Sequence, residues 1–194
     1  MPKLSSTNLM TLEAYAKARP EMRAQVIAHK KNRSIALGDH VTLSFEDELT
    51  MRYQVQEMLR VERIFEEAGI QDELDAYNPL IPDGSNWKAT MLIEYPDVTE
   101  RHTMLAQLKG IEDLLWVQAA GHPKIFAIAD EDMERANDEK TSAVHFLRLE
   151  LDAASISAIK AGAAISMGID HPQYTVQVLA LPDAARISLA QDLA

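Results

Sequence analysis

Residues 52–63 carry the densest set of groups able to do chemistry: Arg52, Gln56, Arg60 and Arg63, with Glu62 among them. On a helix turning about 100° per residue, with Met51 at zero, those three arginines and the glutamine cluster between about 100° and 180°. Guanidinium groups grip carboxylate or phosphate at two points, so this arc is a candidate anion-binding clamp. The plainer reading is a solvated face with helical ion pairs such as Glu48–Arg52 and Arg63–Glu67. Glu62 falls at about 20°, inside an apolar arc of about 160° made by Val61, Phe65, Met58, Met51, Val55 and Leu59. A carboxylate in that position must pair with a cation such as Arg101 or Arg148, bind a metal, or hold a proton, because a bare buried charge is costly.

The histidines stand at 29, 40, 102, 122, 145 and 171, and none forms HExxH, HxH or another strong metal pattern. Positions 29, 40, 102 and 122 read as a helix end, a turn, a helix surface and a loop before proline. His145 lies in "SAVHFLRLEL" (142–151), which alternates as a strand. His145 shares the apolar face with Leu147, Leu149 and Leu151, and Arg148 shares the other with Val144, Phe146 and Glu150. The two therefore point apart: His145 is expected at least half buried and Arg148 at a rim. In "GIDHPQY", Asp170 and His171 read first as a turn device before proline, and otherwise as a carboxylate and an imidazole at a pocket mouth. Glu62, His145, Asp170 and His171 would make an oxygen and nitrogen set for a divalent metal, although spacing alone does not join them.

These residues need elements to hold them. Residues 8–31 read as a helix capped by Asn8 or Thr11, with Pro20 marking a restart or kink. The basic run His29-Lys30-Lys31-Asn32-Arg33 then reads as a solvated helix end. Residues 34–46 are extended and broken at Gly38-Asp39. Residues 46–69 form the strongest helix, opened by acidic residues and closed by Gly69. A short helix follows within 70–86 and gives way to a proline-containing loop with an Asp-Gly turn. The second half alternates strands (86–95, the runs around Gly121-His122-Pro123, 142–151, and two around His171-Pro172) with short helices at 97–110, 152–162 and 182–194. Asp97 and Glu100 have capping-box spacing. "DMERANDEKTS" is polar and charged. Helices first, then strands with short helices between them, predict an α+β fold. In it the N-terminal helices pack on a mostly antiparallel or mixed sheet from the C-terminal half, within one domain over 1–194.

Composition narrows the chemistry. A net charge of −11 repels phosphate backbones and anionic lipid surfaces, which argues against nucleic acid and membrane as partners. With no cysteine, the chain cannot hold disulfides, a thiolate nucleophile, Cys-ligated zinc or a Cys-ligated iron–sulfur cluster. No signal-peptide pattern and no membrane-length apolar run are visible, so the cytoplasm is the expected location.

The blocks "LSFEDELTMRYQVQEMLRVERIFE", "DELDAYNPLIPDGSNWKATMLIEYPD", "LKGIED", "AIADEDMERANDEKTSAVHFLRLEL" and "GIDHPQY" resemble, in one collinear order over nearly the whole chain, the bacterial family DUF3501, a domain of unknown function. The resemblance implies no established activity and supplies no catalytic residues. Its members are typically encoded near rubrerythrin-like proteins and an iron–sulfur oxidoreductase. That implies, by association, an accessory or binding protein acting with an iron-containing redox partner in oxidative-stress metabolism. The alternative is an enzyme for a small anionic substrate, with a divalent metal held by Glu, His and Asp. Both leave an oligomer open.

Overall fold

A computed structural model describes residues 3–129 and 140–194. Most of the polar "DMERANDEKTS" stretch lies outside the described residues. Helix α1 (Leu12–Lys30) begins at Thr11, whose hydroxyl accepts the Ala14 amide at 3.3 Å, while Asn8 closes a short 3-10 turn before it. Pro20 sits inside α1, and the helix continues past it.

Strands β1 (Ser34–Leu37) and β2 (Val41–Glu46) form a hairpin around Gly38, whose φ of 73° suits glycine. The Tyr174 hydroxyl crowds the same glycine, 2.6 Å from where a Cβ would sit. Strands β3 (Asn86–Ile93), β4 (Leu115–Ala119), β5 (Ile125–Phe126), β6 (Ile128–Ala129), β7 (Val144–Glu150), β8 (Ile165–His171) and β9 (Tyr174–Val178) complete two sheets. One runs β1-β2-β3-β7-β6 and the other β5-β4-β8-β9. Every pairing is antiparallel. The chain is therefore α+β, with its antiparallel strands shared between two sheets.

The strands read as such because their apolar residues alternate. In β7 His145, Leu147 and Leu149 are buried, while Val144, Phe146, Arg148 and Glu150 are half-buried. The inward faces of both sheets share one core, which includes Leu43, Phe45, Trp87, Met91 and Leu149 from the first and Leu115, Val117, Met167 and Ile169 from the second. Helices α4 (Val98–Gln107), α5 (Ala153–Lys160) and α6 (Asp183–Ala190) add Leu105, Ile159 and Leu189. The aspartate before α4 caps it, Asp97 accepting the Glu100 amide at 2.8 Å.

Helices α2 (Glu48–Glu62) and α3 (Glu67–Tyr77) build a second, smaller core from Met51, Val55, Leu59, Leu74, Ile81 and Leu4. Here the structure corrects the single helix expected over 46–69. Helix α2 stops at Glu62, and Arg63 turns left-handed (φ 57°, ψ 41°). The Ile64 amide reaches back to the Leu59 carbonyl at 2.9 Å, and its side chain packs on the small core. Gly69 is not a helix stop. It lies in α3, where a Cβ would stand 2.7 Å from Ile64, so its missing side chain makes room for Ile64 to fold in.

Candidate functional site

The early stop of α2 decides where its polar residues go. Met51, Val55 and Leu59 are buried, but Val61, Glu62 and Phe65 are exposed because the chain turns away before anything covers them. This overturns the expectation of a stripe-centred, buried Glu62. Glu62 faces solvent and adds to the burial that raises the Glu73 carboxyl of α3. The other members of the arc separate too. Arg52 pairs with Glu48 one turn back, and its Nε is buried without a partner among the described residues. Gln56 is fully buried and clasps the chain at Met10, its Oε1 accepting the Met10 amide at 2.6 Å and its Nε2 donating to the Met10 carbonyl at 3.3 Å. Arg63 is the left-handed residue closing α2.

Arg60 joins a cluster that the helical wheel could not show. Glu57 accepts the Tyr15 hydroxyl at 2.6 Å and a two-point contact from Arg19 at 2.7 and 2.8 Å, with Arg60 at 3.4 Å on both oxygens. The Arg19 contact, outweighing burial, draws the Glu57 carboxyl down to about 2. Burial, with Glu57 alongside, raises the Tyr15 phenol above its ordinary value. Two guanidinium groups thus share one carboxylate on the α1–α2 face.

The most enclosed polar assembly centres on Arg33, which is 1% exposed. Its Nη2 donates to Asp192 Oδ2 at 2.5 Å and to the Glu46 carbonyl at 3.1 Å. Its Nη1 reaches Asp192 Oδ1, the Ser188 carbonyl and the Ser188 hydroxyl, each at 3.3 Å. Its Nε donates to the Phe45 carbonyl at 3.1 Å and lies 3.4 Å from Asp47 Oδ2. The same Asp47 oxygen meets His29 Nε2 at 2.5 Å, while Oδ1 caps α2 at the Thr50 amide. Burial pushes the Asp47 carboxyl up, but Arg33, the Thr50 amide and His29 together hold it below its ordinary value. At Asp192 burial, with Asp47 adding to it, outweighs Arg33 and the more weakly acting His29, and the carboxyl is pushed up to about 6. Thr50 and Thr90 hydroxyls donate to the neighbouring Glu46 carboxylate at 2.7 and 2.9 Å. The assembly ties the α1–β1 corner, the start of α2 and the turn after α6 into one brace.

The remaining sequence candidates occupy separate places. His145 is buried, with Nε2 at 3.0 Å from Thr141 Oγ1, 2.9 Å from the Ser142 carbonyl and 3.9 Å from Glu112. Next to Glu112, Asp113 is raised chiefly by burial. Asp170 and His171 leave opposite faces of β8. Asp170 faces solvent, accepts Trp116 Nε1 at 2.9 Å and Lys124 Nζ at 2.7 Å, and is held low mainly by Lys124, which also sits 3.8 Å above the Trp116 ring. His171 is buried. Its Nδ1 accepts the Gln173 amide at 3.2 Å, which leaves Nε2–H to donate to the Lys109 carbonyl at 3.2 Å. Glu62, His145 and the Asp170–His171 pair each have different neighbours, so the structure does not gather them. Among the described residues no three His, Asp or Glu side chains form a group that could hold a metal ion.

Comparison with known proteins places this architecture. The DUF3501 family, a protein family of unknown function, matches residues 3–193. The chain belongs to DUF3501. Among solved structures, this DUF3501 chain is similar to a novel protein of unknown function from Burkholderia pseudomallei, with 53% identity, 100% of each chain covered and a TM-score of 0.94. No curated protein matches it. Among the described residues, no helix is long and apolar enough to cross a membrane.

The basic run His29–Arg33 of this DUF3501 chain is not the solvated helix end expected of it, because Arg33 and His29 enter the brace. One sequence signal pointed there. Ile35 and Leu37 are the apolar positions of β1, and counting back by two puts Arg33 on the same inward face. Nothing local marks Ser188 and Asp192, which lie 155 and 159 residues further along.

Proposed function

We propose that this DUF3501 protein is an accessory protein that works by binding a macromolecular partner. The partner we put forward is an iron-containing redox protein of the rubrerythrin type, in oxidative-stress metabolism. The observation that supports this reading is how the interior polar groups are spent. Arg33 directs donors from all three of its nitrogens to carbonyls, a hydroxyl and carboxylates of its own fold. Gln56 clasps Met10, and both ring nitrogens of His171 have internal partners. Groups committed in this way brace the fold, and using them on a substrate would break it. What the protein presents outward instead is surface chemistry.

The test is direct titration of the purified chain with a purified rubrerythrin-type protein from the same organism, followed by sedimentation velocity. A discrete complex with a dissociation constant near or below about 1 µM is expected. Two proteins that sediment independently at the highest workable concentration overturn the partner assignment. A second reading, turnover of a small anionic substrate with or without a divalent metal, draws support from the Arg19–Glu57–Arg60 cluster, where two guanidinium groups meet one carboxylate. Calorimetric titration with inorganic phosphate, repeated with added divalent metal, separates it from the first.

A further inference from the structure

We propose that His29, Asp47, Arg33 and Asp192 form a proton-operated latch: a proton held at Asp192 fastens the turn after α6 (residues 191–194) against the α1–β1 corner, and its release lets that turn open while the rest of the fold stays closed. The latch is independent of the accessory-protein reading. Three observations carry it.

First, the enclosed charges do not balance. Arg33 is a single guanidinium between two buried carboxylates, its Nη2 2.5 Å from Asp192 Oδ2 and its Nε 3.4 Å from Asp47 Oδ2. One negative charge is left over, and a buried excess charge is relieved by taking up a proton. Asp47 is a poor place for that proton, because the Thr50 amide, His29 and Arg33 already hold its oxygens. The Asp192 carboxylate takes donors from Arg33 only, among the described residues, and burial pushes it up to about 6.

Second, the other elements around the turn do not supply the missing cation. On α6, Asp183 and Arg186 pair with each other at 3.2 Å. On α5, Asp152 and Lys160 are exposed. Before β3, Asp83 is engaged with Ser85 and Asn86. In β3 itself, Trp87 donates to the Leu189 carbonyl, and Lys88 lies on the opposite face. The Glu46 carboxylate is held by the Thr50 and Thr90 hydroxyls. No ion pair joins Lys30 or Lys31 to Asp192 among the described residues. His29 remains. Its side chain is 28% exposed, against 10% for Asp47 and 2% each for Arg33 and Asp192, so it is the end of the latch that meets solvent. A proton there adds a cation that draws the Asp192 carboxyl down.

Third, the turn is a small piece with few fastenings. Asp192 and Leu193 are buried between exposed Gln191 and Ala194. Apart from Arg33, the turn is tied to other elements by the Ala194 amide at the Gly84 carbonyl, 2.8 Å, while its own backbone bonds back to α6 are 3.2–3.3 Å long. The helix behind it is anchored separately, by Leu189 in the main core and by Trp87. Opening the turn therefore returns Asp192 to water at small cost in contacts. The folded value of Asp192 lies above the unfolded one, so its fastening is full below about pH 3.8 and is lost as pH rises through about 6.

The experiment is amide hydrogen exchange of the full chain at about pH 5 and about pH 7, each rate divided by the intrinsic rate at that pH, with and without urea below the unfolding transition. The Asp192, Leu193 and Ala194 amides should exchange through an opening that urea barely changes and whose population rises about tenfold from the lower pH to the higher. Asp192→Asn should remove the rise. In His29→Gln the Asp192 carboxyl, followed by its 13C resonance, should titrate at higher pH than in the parent. Turn amides with the same urea dependence as the β3 amides would overturn the latch, because the turn would then open only with the whole fold. Protection that ignores pH in the parent, or a rise that persists in Asp192→Asn, would overturn it too, and an Asp192 titration unmoved by His29→Gln would overturn the four-membered arrangement. The measurements on the parent decide by themselves if Asp192→Asn does not fold.

Discussion

Replacing Asp192 by Asn should remove a defined part of the pH dependence of stability. Asp192 is 2% exposed, so solvent does little to screen it. Burial drives its carboxyl from 3.8 up to about 6, with Arg33 pulling the other way. Because the folded value lies above the unfolded one, folding favours the protonated form. The stability this group contributes is full below about pH 3.8 and is lost as pH rises through about 6. A rise of that size corresponds to about 3 kcal/mol across the window. Asparagine has no proton to release, so the variant should lack this slope. Asp47 is depressed below its ordinary value, so its contribution is present above the unfolded value and is lost at lower pH, in both proteins alike. The difference between parent and variant therefore isolates residue 192. The assay is urea unfolding followed by far-UV circular dichroism, in steps from about pH 4 to about pH 7.5, where stability is read by linear extrapolation. Because part of the contribution is already lost at about pH 4, the advantage of the parent over the variant should shrink by about 2 kcal/mol from the acid to the neutral end. Two curves that stay parallel within about 0.5 kcal/mol would refute the claim that burial outweighs Arg33 at this carboxyl.

Three further substitutions test the brace and its surroundings. Arg33→Met removes a guanidinium that is 1% exposed and leaves Asp192 buried without its cation, so it should cost about 3–5 kcal/mol in chemical unfolding; a loss under about 1 kcal/mol would mean the brace contributes little. Gln56→Ala strips both partners from the Met10 backbone and should cost about 1–3 kcal/mol. It should also speed hydrogen exchange at the Met10 amide, and unchanged exchange there would count against the clasp. Gly168→Ala would put a Cβ 2.5 Å from both the Trp116 ring and the Val176 carbonyl. It should cost about 1–3 kcal/mol and alter Trp fluorescence, and a silent variant would show that β8 and β9 can separate there without penalty.

Local pattern carried much of the architecture. Period-two alternation places His145 on the inward face of β7 and Arg148 on the outer one, and the structure shows both. Gly38-Asp39 marks the β1–β2 hairpin, and Asp97 marks the start of α4. Each of these depends only on residues a few positions apart, so a single sequence displays them. The end of α2 is different. No proline stands there, and the nearest glycine, Gly69, lies inside α3. The helix stops because Ile64 gains more by packing on Leu59 and its neighbours than by extending the helix, and that trade is invisible until the small core exists. Every inference built on a longer wheel, including a buried Glu62, moved with it.

By itself the sequence determined the α+β class, the strand faces, the cap of α4 at Asp97 and the exclusion of thiolate chemistry. All of these follow from residue type and short spacing. The tertiary structure alone decided which charges are buried and with whom. Arg33 meets Asp192 across 159 residues, Arg60 finds Arg19 through Glu57, and Gln56 holds a backbone 46 residues away. Such pairings depend on how whole elements stack, and the cost of an unpaired buried charge says only that a partner must exist, not which residue it is.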